Sequence, residues 1–296
     1  MTTFWILALC STLGYTLNSL LMLPFIRKHD AMSVGIYRNL SLGISFLPVT
    51  YYLVPREDWS SLLGVWHWIL ISAAIAVIVV WCEFEGLKRV PVGIFATLST
   101  GIRIALFMVW GVLFFGEYLS VKQLIGITVL VLGMGWLGFN MKKKIFNHLL
   151  PSPWYVQVAL LLTTSVFMSI AFVFLVKASR AANPLLVGHV WEFMIGVCSL
   201  MAIMIRGSFG YGKLEGIPLK TFGKILLAAS PTIVGTGCYA LASTQGPLAI
   251  LGAIGTIGIG IQALVAVFYF HEKLNSSQWL GIAVSVVGIL MLKLAS

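Results

Sequence analysis

The stretch FGEYLSVKQLIGITVLVLGM at residues 115–134 is similar to the stretch FHEKLNSSQWLGIAVSVVGI at residues 270–289. At a constant offset of 155 positions, one phenylalanine, glutamate, leucine, glutamine and isoleucine, two valines and two glycines recur in register. Upstream, Pro91 and Pro247 correspond at an offset of 156. A register of this length, at equivalent places in the two halves, indicates that the chain contains an internal repeat.

Apolar runs long enough to cross a bilayer make up the rest of the chain. Of its 296 residues, 59% are hydrophobic and only 9% are charged, whereas a soluble domain carries roughly 25% charged residues. About 20 apolar residues span the hydrocarbon core as a helix. These runs lack the alternating pattern of barrel strands, so we predict an all-α integral membrane protein. The ten predicted helices are 4–24, 32–54, 66–87, 91–114, 122–140, 154–178, 185–205, 223–243, 247–270 and 277–295.

The number of helices in each repeat decides the predicted topology. The ten predicted helices give five to each repeat. Because five is an odd number, the two repeats enter the membrane with opposite orientation. We therefore predict ten transmembrane helices arranged as two inverted five-helix repeats, with a site near the midplane between them. The first repeat covers residues 1–144, a linker covers 145–153, and the second repeat covers 154–296.

The net charge of +10 is spread over short connectors between the apolar runs. A nucleic-acid surface needs one continuous basic patch, so nucleic acid is excluded as a partner. Twelve lysines and arginines fall in one set of alternating connectors and five fall in the opposite set. Under the positive-inside rule, this distribution places both termini outside the cytoplasm.

The helix count and the repeated motif F-x-E-x-L…Q-x-x-G, between helices four and five and between nine and ten, resemble the drug/metabolite transporter superfamily, and within it the EamA-type permeases. This resemblance implies a central cavity, alternating access, and small metabolites such as amino acids or sugars as substrates. It also implies export over uptake, a bacterial-type inner (plasma) membrane, and termini in the cytoplasm, opposite to the charge count. The chain departs from the family at Leu13-Gly14, where many members have Trp-Gly, and at Arg103, so no substrate class is carried over.

Charged residues inside predicted helices are candidates for the binding site. A charge at the bilayer centre costs about 2.5–3.5 kcal/mol on insertion scales, so it needs a partner or a water-filled cavity. Arg103, near the middle of helix four, either presents positive charge to a carboxylate or phosphate of the substrate or forms an ion pair with Glu83 of helix three. The two residues differ in depth by only about 6 Å if these helices are antiparallel neighbours.

A second charged pair is predicted between the repeats. Glu192 lies in the centre of helix seven and either binds a substrate amine, carries a coupling proton, or pairs with Arg38 of helix two. His189, one turn earlier, is interpreted as a hydrogen-bonded interior histidine.

Polar and small residues at helical spacing are further candidates. On helix one, Tyr15 and Asn18 belong to a stripe with Ser11 and Met22 that either lines the transport path or joins helices. Helix six offers Ser165 and Ser169 in the corresponding region. Small residues every four positions permit close packing or sliding in helix four (Gly93, Thr97, Gly101, Ala105) and in helix nine (Gly252, Thr256, Gly260). At helix boundaries, we expect Glu117 and Glu272 to cap helices rather than to carry chemistry.

The motifs of common enzyme classes are absent from the sequence, so we expect no catalysis, no cofactor and no metal site. The predicted function is a secondary-active permease for a small polar metabolite, in contact with membrane lipid and driven by a proton or an exchanged solute. Two alternatives stay open: a flippase for a lipid-linked sugar, and a non-transporting membrane protein. Either a monomer or a homodimer is compatible with the sequence.

Overall fold

The structure, a computed structural model, is all-helical and describes residues 2–90, 92–139, 152–210, 213–255, 257–258, 260–261, 265 and 275–295. The first half contains α1 (Thr2–Lys28), α2 (Ala31–Leu53), a 3-10 turn (Arg56–Ser61), α3 (Leu62–Arg89), α4 (Val92–Phe115) and α5 (Val121–Phe139). The second half contains α6 (Trp154–Ala181), α7 (Pro184–Ser208), α8 (Leu219–Ala229), α9 (Pro231–Ser243), α10 (Leu248–Ile254) and α11 (Ser276–Leu294).

The lengths and apolar surfaces of these helices are those of a membrane protein. Within the described ranges, six segments are long and apolar enough to cross a bilayer: Thr2–Lys28, Arg56–Arg89, Leu98–Phe115, Trp154–Ala181, Pro184–Ser208 and Leu219–Ser243. Two shorter apolar helices lie at Val121–Gly133 and Trp279–Leu292. Large apolar side chains such as Leu63 and Leu132 point outward, as lipid contact requires. The prediction of an all-helical fold is confirmed, and the six segments have the length and apolar composition of membrane spans.

Two predicted helices differ from what the structure shows. The span predicted at 223–243 is two helices, α8 and α9, that meet at Ser230. The reason is Pro231, which has no N–H to donate and whose ring clashes with the carbonyl four residues earlier. The span predicted at 247–270 is described as a continuous helix only from Leu248 to Ile254.

Helices at equivalent positions of the two halves pack against each other and run antiparallel. In α2 and α7, Gly43 contacts Phe193, while Thr50, farther along α2, bonds His189, which is earlier in α7. In α5 and α11, Gly126 lies against Leu292, and the later Trp136 donates to Ser277 at 2.9 Å. The glycines of the repeated motif are contact residues here, since Gly126 and Gly133 face Gly288 and Gly281.

Elements α1 and α9 approach each other at backbone distance. A Cβ atom on Gly14 would lie 2.6 Å from the backbone N of Gly235 and from the carbonyl O of Pro231. Glycine at this position is therefore required by close approach rather than by its φ angle. The contact holds the polar side chains of α1 against those of α9.

The bundle has two distinct ends, which we name by their connectors. The basic end carries the α1–α2 turn and the α7–α8 connector, which meet where His29 bonds Glu215. The far end carries the α2–α3, α4–α5, α6–α7 and α9–α10 connectors; here Asn183 donates to Asp58 at 2.8 Å. These two ends define the directions in which a central cavity can open.

Candidate functional site

A cavity of about 200 Å³ lies in the interior of the bundle, between helices of both halves. Its wall contains all six residues singled out from the sequence: Tyr15, Asn18, Arg38, Glu83, Arg103 and Glu192. These residues come from α1, α2, α3, α4 and α7, so the fold brings together side chains that are far apart in sequence. A cavity of this size is smaller than the roughly 300–1,000 Å³ typical of drug-sized ligands, and it suits a small metabolite.

Arg38 and Glu192 form a buried ion pair across the two halves of the chain. Arg38 Nη1 lies 3.6 Å from Glu192 Oε2. The guanidinium also donates to Asn39 Oδ1 at 2.6 Å, to Thr232 Oγ1 at 3.1 Å and to Asn18 Oδ1 at 3.4 Å. With this set of acceptors, the arginine charge is compensated without any substrate.

A hydroxyl chain connects Glu192 to α1. Thr236 donates its hydroxyl hydrogen to Glu192 Oε1 at 2.6 Å. The Tyr15 hydroxyl lies 3.0 Å from Thr236 Oγ1, so Tyr15 is the donor in this second bond. In contrast, Glu192 Oε2 is buried and has no hydrogen-bond partner in the described part of the chain. This oxygen faces the Arg38 guanidinium, whose Nη1 lies 3.6 Å away.

Arg103 and Glu83 face the same cavity without pairing. Their charges interact through space, yet among the described residues neither has an ion-pair partner within 4.0 Å. The predicted Arg103–Glu83 ion pair is therefore wrong in this structure. One reason is that α3 and α4 touch only slightly, because α3 packs mainly along α6. Arg103 Nη2 instead donates to Thr100 in its own helix at 3.2 Å.

Aromatic rings form the floor of the cavity on the side of the far end. The Phe172 ring lies 4.5 Å from the Tyr239 ring, 5.7 Å from that of Trp191 and 6.0 Å from that of Phe107. Among the described residues, the Tyr239 hydroxyl and the Trp191 indole N–H are buried and have no hydrogen-bond partner. Both lie in the cavity wall and can donate to a ligand.

Sequence reasoning missed the polar face of α9. Thr232, Thr236, Tyr239 and Ser243 recur at i, i+4, i+7 and i+11 and are all buried. This is the spacing that singled out Ser11, Tyr15, Asn18 and Met22 on α1, and those four all line the cavity. The same periodicity search applied to the eighth predicted helix finds these residues.

Several other predicted residues do not line the cavity. Ser165 and Ser169 are not in its wall, since each donates to a carbonyl of α6. His189 is bonded as predicted: its Nε2–H donates to the Gly43 carbonyl at 2.7 Å, and its Nδ1 accepts from Thr50. Of the small-residue stripes, Gly252 packs under Phe107 and also lines the cavity.

Glu117 caps a helix, but the helix is α10 and not α5, whose start is capped by Ser120 and Gln123. Both carboxylate oxygens of Glu117 lie 2.9 Å from the Leu248 N–H, at the start of α10. Glu272 and Thr256 lie outside the described residues.

The basic end contains a carboxylate outside the membrane-spanning helices. Glu215 Oε2 accepts from the Asp30 N–H at 2.6 Å, and Oε1 lies 2.6 Å from His29 Nδ1. These bonds stabilise the ionised form and hold the pKa of Glu215 below its usual range. Across the described ranges, the basic end included, no group of three or more histidine, cysteine, aspartate or glutamate side chains is placed to hold a metal ion.

The chain is similar to known proteins in both sequence and fold. A sequence profile of the EamA-like transporter family matches residues 3–139 and, a second time, residues 156–294. The "Uncharacterized transporter sll0355" of Synechocystis sp. (strain ATCC 27184 / PCC 6803 / Kazusa) is 25% identical over 265 residues, which cover 80% of this chain and 72% of that protein. A solved crystal structure superposes with a TM-score of 0.76 at 12% identity, over 99% of this chain and 97% of that chain. The last match concerns the fold alone.

Proposed function

The chain belongs to the EamA-like transporter family, and from this premise we propose that it is a secondary-active permease for a small polar metabolite, an amino acid or a similar organic solute. Transport proceeds by alternating access around the central cavity, in the direction of export, across a plasma membrane. Arg103 and Glu83 carry this proposal, because they are intramembrane charges that line the cavity without ion-pair partners within 4.0 Å in the described chain.

The proposed architecture is ten transmembrane helices in two inverted repeats, residues 1–144 and 154–296, joined by a linker at 145–153. Its support is the double family match at residues 3–139 and 156–294. The antiparallel pairing of α2 with α7 and of α5 with α11 also supports it, because inverted repeats place equivalent helices in opposite directions. The cavity lies between the proposed repeats, where such transporters bind their substrates.

The charges of the cavity favour a substrate that carries both signs. Four charged residues are in its described wall, two positive (Arg38, Arg103) and two negative (Glu83, Glu192). Arg38 and Glu192 satisfy each other. Arg103 then binds a carboxylate, the Tyr239 hydroxyl donates to it, and Glu83 accepts from an ammonium group. A ligand of this kind leaves no uncompensated charge inside the membrane.

Glu192 is the proposed carrier of a coupling proton. Its Oε2 atom has no hydrogen-bond partner among the described residues and lies 3.6 Å from Arg38 Nη1, so a proton added there replaces the ionic contact with Arg38. Protonation removes the negative charge opposite Arg38, which changes the electrostatic balance of the α2–α7 contact. Binding of a proton and movement of the repeats are linked by this change.

A thermal-shift screen of detergent-purified protein tests the proposal. The ligands are the common amino acids, sugars, nucleotide-sugars and organic acids, and each amino acid that shifts the melting temperature is followed by its amide and its deaminated acid. A ligand at 100 times its Kd stabilises the folded form by about 2.7 kcal/mol. We expect an amino acid to shift the wild type, and we expect Arg103→Ala and Glu83→Gln to lose that shift.

The matched control is Arg56→Ala, which removes an arginine from the exposed α2–α3 connector. It should keep the full ligand shift. If no ligand shifts the wild type and Arg103→Ala only lowers the melting temperature, Arg103 is structural. The flippase and the non-transporting protein are then favoured instead.

A further inference from the structure

Glu117 and Arg180 hold three connectors together at the far end. Arg180 Nη2 lies 3.0 Å from Glu117 Oε1. The same guanidinium donates from Nε to the Ser243 carbonyl at 2.9 Å and from Nη2 to the Gly246 carbonyl at 3.2 Å. With the bonds from Glu117 to the Leu248 N–H, the pair ties the α4–α5 turn to the end of α6 and to the α9–α10 turn.

Glu117 is the sheltered member of this ion pair, whereas the Arg180 side chain is 31% exposed. The Glu117 side chain is only 9% exposed. The Arg180 guanidinium also lies over the Phe115 ring, 4.4 Å from its centroid. A partly desolvated, charge-assisted network of this kind is stronger than an exposed pair. We name Glu117 and Arg180, with the Ser243–Leu248 backbone that they bind, the far-end latch.

The cavity is closed on the side of this latch. Its wall extends along α1 to Ile26, along α3 to Leu87 and along α4 from Val92, all within one turn of the helix ends at the basic end. Toward the far end its wall includes Ala8 of α1 and Leu251 of α10 beside the aromatic floor, and both residues are buried. Beyond the floor lie packed apolar residues, among them Ala242 and Leu248, which are fully buried. The latch lies over this layer.

We propose that the far-end latch is a gate of the transporter: the bond between Glu117 and Arg180 holds the far end closed, and it breaks in each cycle when the cavity opens there. This inference rests on the proposed function, since only a protein that alternates has to open its far end. The repeat motif thereby gains a second role for its glutamate, which both caps α10 and binds the closing arginine. A helix cap alone would not need Arg180.

Cysteine labelling measures the opening directly. The reporter is Ser243→Cys, in a background in which the four native cysteines are replaced. The Ser243 residue is fully buried, only its backbone carbonyl takes part in the latch, and serine and cysteine are nearly the same size. The rate of reaction with a water-soluble maleimide in detergent reports how often the far end opens. Ser19→Cys, in the cavity wall, is the reference for a site that is reached from the basic end.

We expect Glu117→Gln and Arg180→Gln to raise the labelling rate of Cys at 243 about tenfold or more, because a charge-assisted bond is lost from the closed state alone. Labelling at 19 should not rise. Glu215→Gln removes a comparable carboxylate contact at the basic end, and it should leave labelling at 243 unchanged. Glu117→Asp keeps the charge but shortens the side chain, and it should give an intermediate rate if Glu117→Gln does not fold.

Unchanged labelling at 243 in folded latch variants overturns the gate. A rise that Glu215→Gln reproduces also overturns it, because that result means general loosening of the bundle. Failure of the proposed function is a different result: no solute shifts the melting temperature, whatever the latch variants do. Solute binding together with an insensitive reporter refutes the gate and leaves the permease standing.

Discussion

At the scale of single residues, the Arg38–Glu192 pair is the contact with the largest electrostatic consequence for stability. Removing one member of a buried pair leaves the other charge uncompensated, at a cost of about 3–5 kcal/mol. We expect Glu192→Gln to lower the free energy of unfolding by that amount, because it keeps the bond to Thr236 but leaves Arg38 unbalanced. Denaturation in mixed micelles measures the loss. Glu57→Gln, in the exposed α2–α3 connector, is the control.

The double substitution Arg38→Met with Glu192→Leu separates charge from packing. Replacing both charges with apolar groups is often neutral in stability, so we expect the double variant to be more stable than Glu192→Gln alone. A double variant as unstable as the single one would show that the hydrogen bonds of Arg38 to Asn18, Asn39 and Thr232, rather than its charge, stabilise the site.

At the scale of helices, the α1–α9 contact depends on the absence of a side chain at one position. Replacing glycine by alanine in a helix normally gains about 0.5–1 kcal/mol. At Gly135 of α5 a Cβ meets nothing within 4 Å, and we expect that gain. At Gly14 the Cβ would lie 2.6 Å from backbone atoms of α9, and we expect a loss of about 1–3 kcal/mol. Thermal unfolding of the two variants measures the difference; equal effects would contradict the contact.

The helices were largely predictable because a bilayer imposes one rule on every span. Runs of about 20 apolar residues have to be helical there, and the described helices begin and end near the predicted residues. The break at Ser230 was not predicted, because hydropathy does not register Pro231 inside an apolar run. The spacing of the small residues predicted close helix packing. Which helices the repeated glycines bring together is seen only in the structure, where those of α5 lie against those of α11.

The candidate site was predictable in its residues and in one of its two pairs: Arg38 and Glu192 form the ion pair that was one alternative for Glu192, whereas Arg103 and Glu83 do not pair. Buried charge is costly in lipid, so Arg38, Glu83, Arg103 and Glu192 had to face a partner or a cavity, and the structure places all four in one cavity wall. Which charges touch depends on the angles at which helices cross. Because α3 and α4 touch only slightly, Arg103 and Glu83 stay apart. No local sequence pattern encodes how closely two helices pack.

At the scale of the whole molecule, the orientation of the bundle in the membrane decides to which side the cavity opens. The connectors of the basic end carry most of the lysines and arginines, which the positive-inside rule assigns to the cytoplasm. The cavity extends to that end, so in this orientation it faces the cytoplasmic side, as the proposed export requires. Two cysteine substitutions test this orientation: Lys213→Cys on the basic end and Gln245→Cys on the far end. Both positions are exposed.

In intact cells, an impermeant maleimide should label Gln245→Cys and spare Lys213→Cys until the cells are permeabilised. Labelling after permeabilisation shows that both sites react and serves as the control. The reverse pattern would place the termini in the cytoplasm, as the family resemblance implies. The cavity would then extend toward the outside, the far-end latch would close the cytoplasmic side, and the conformation described would be the one that releases an exported solute or receives an imported one.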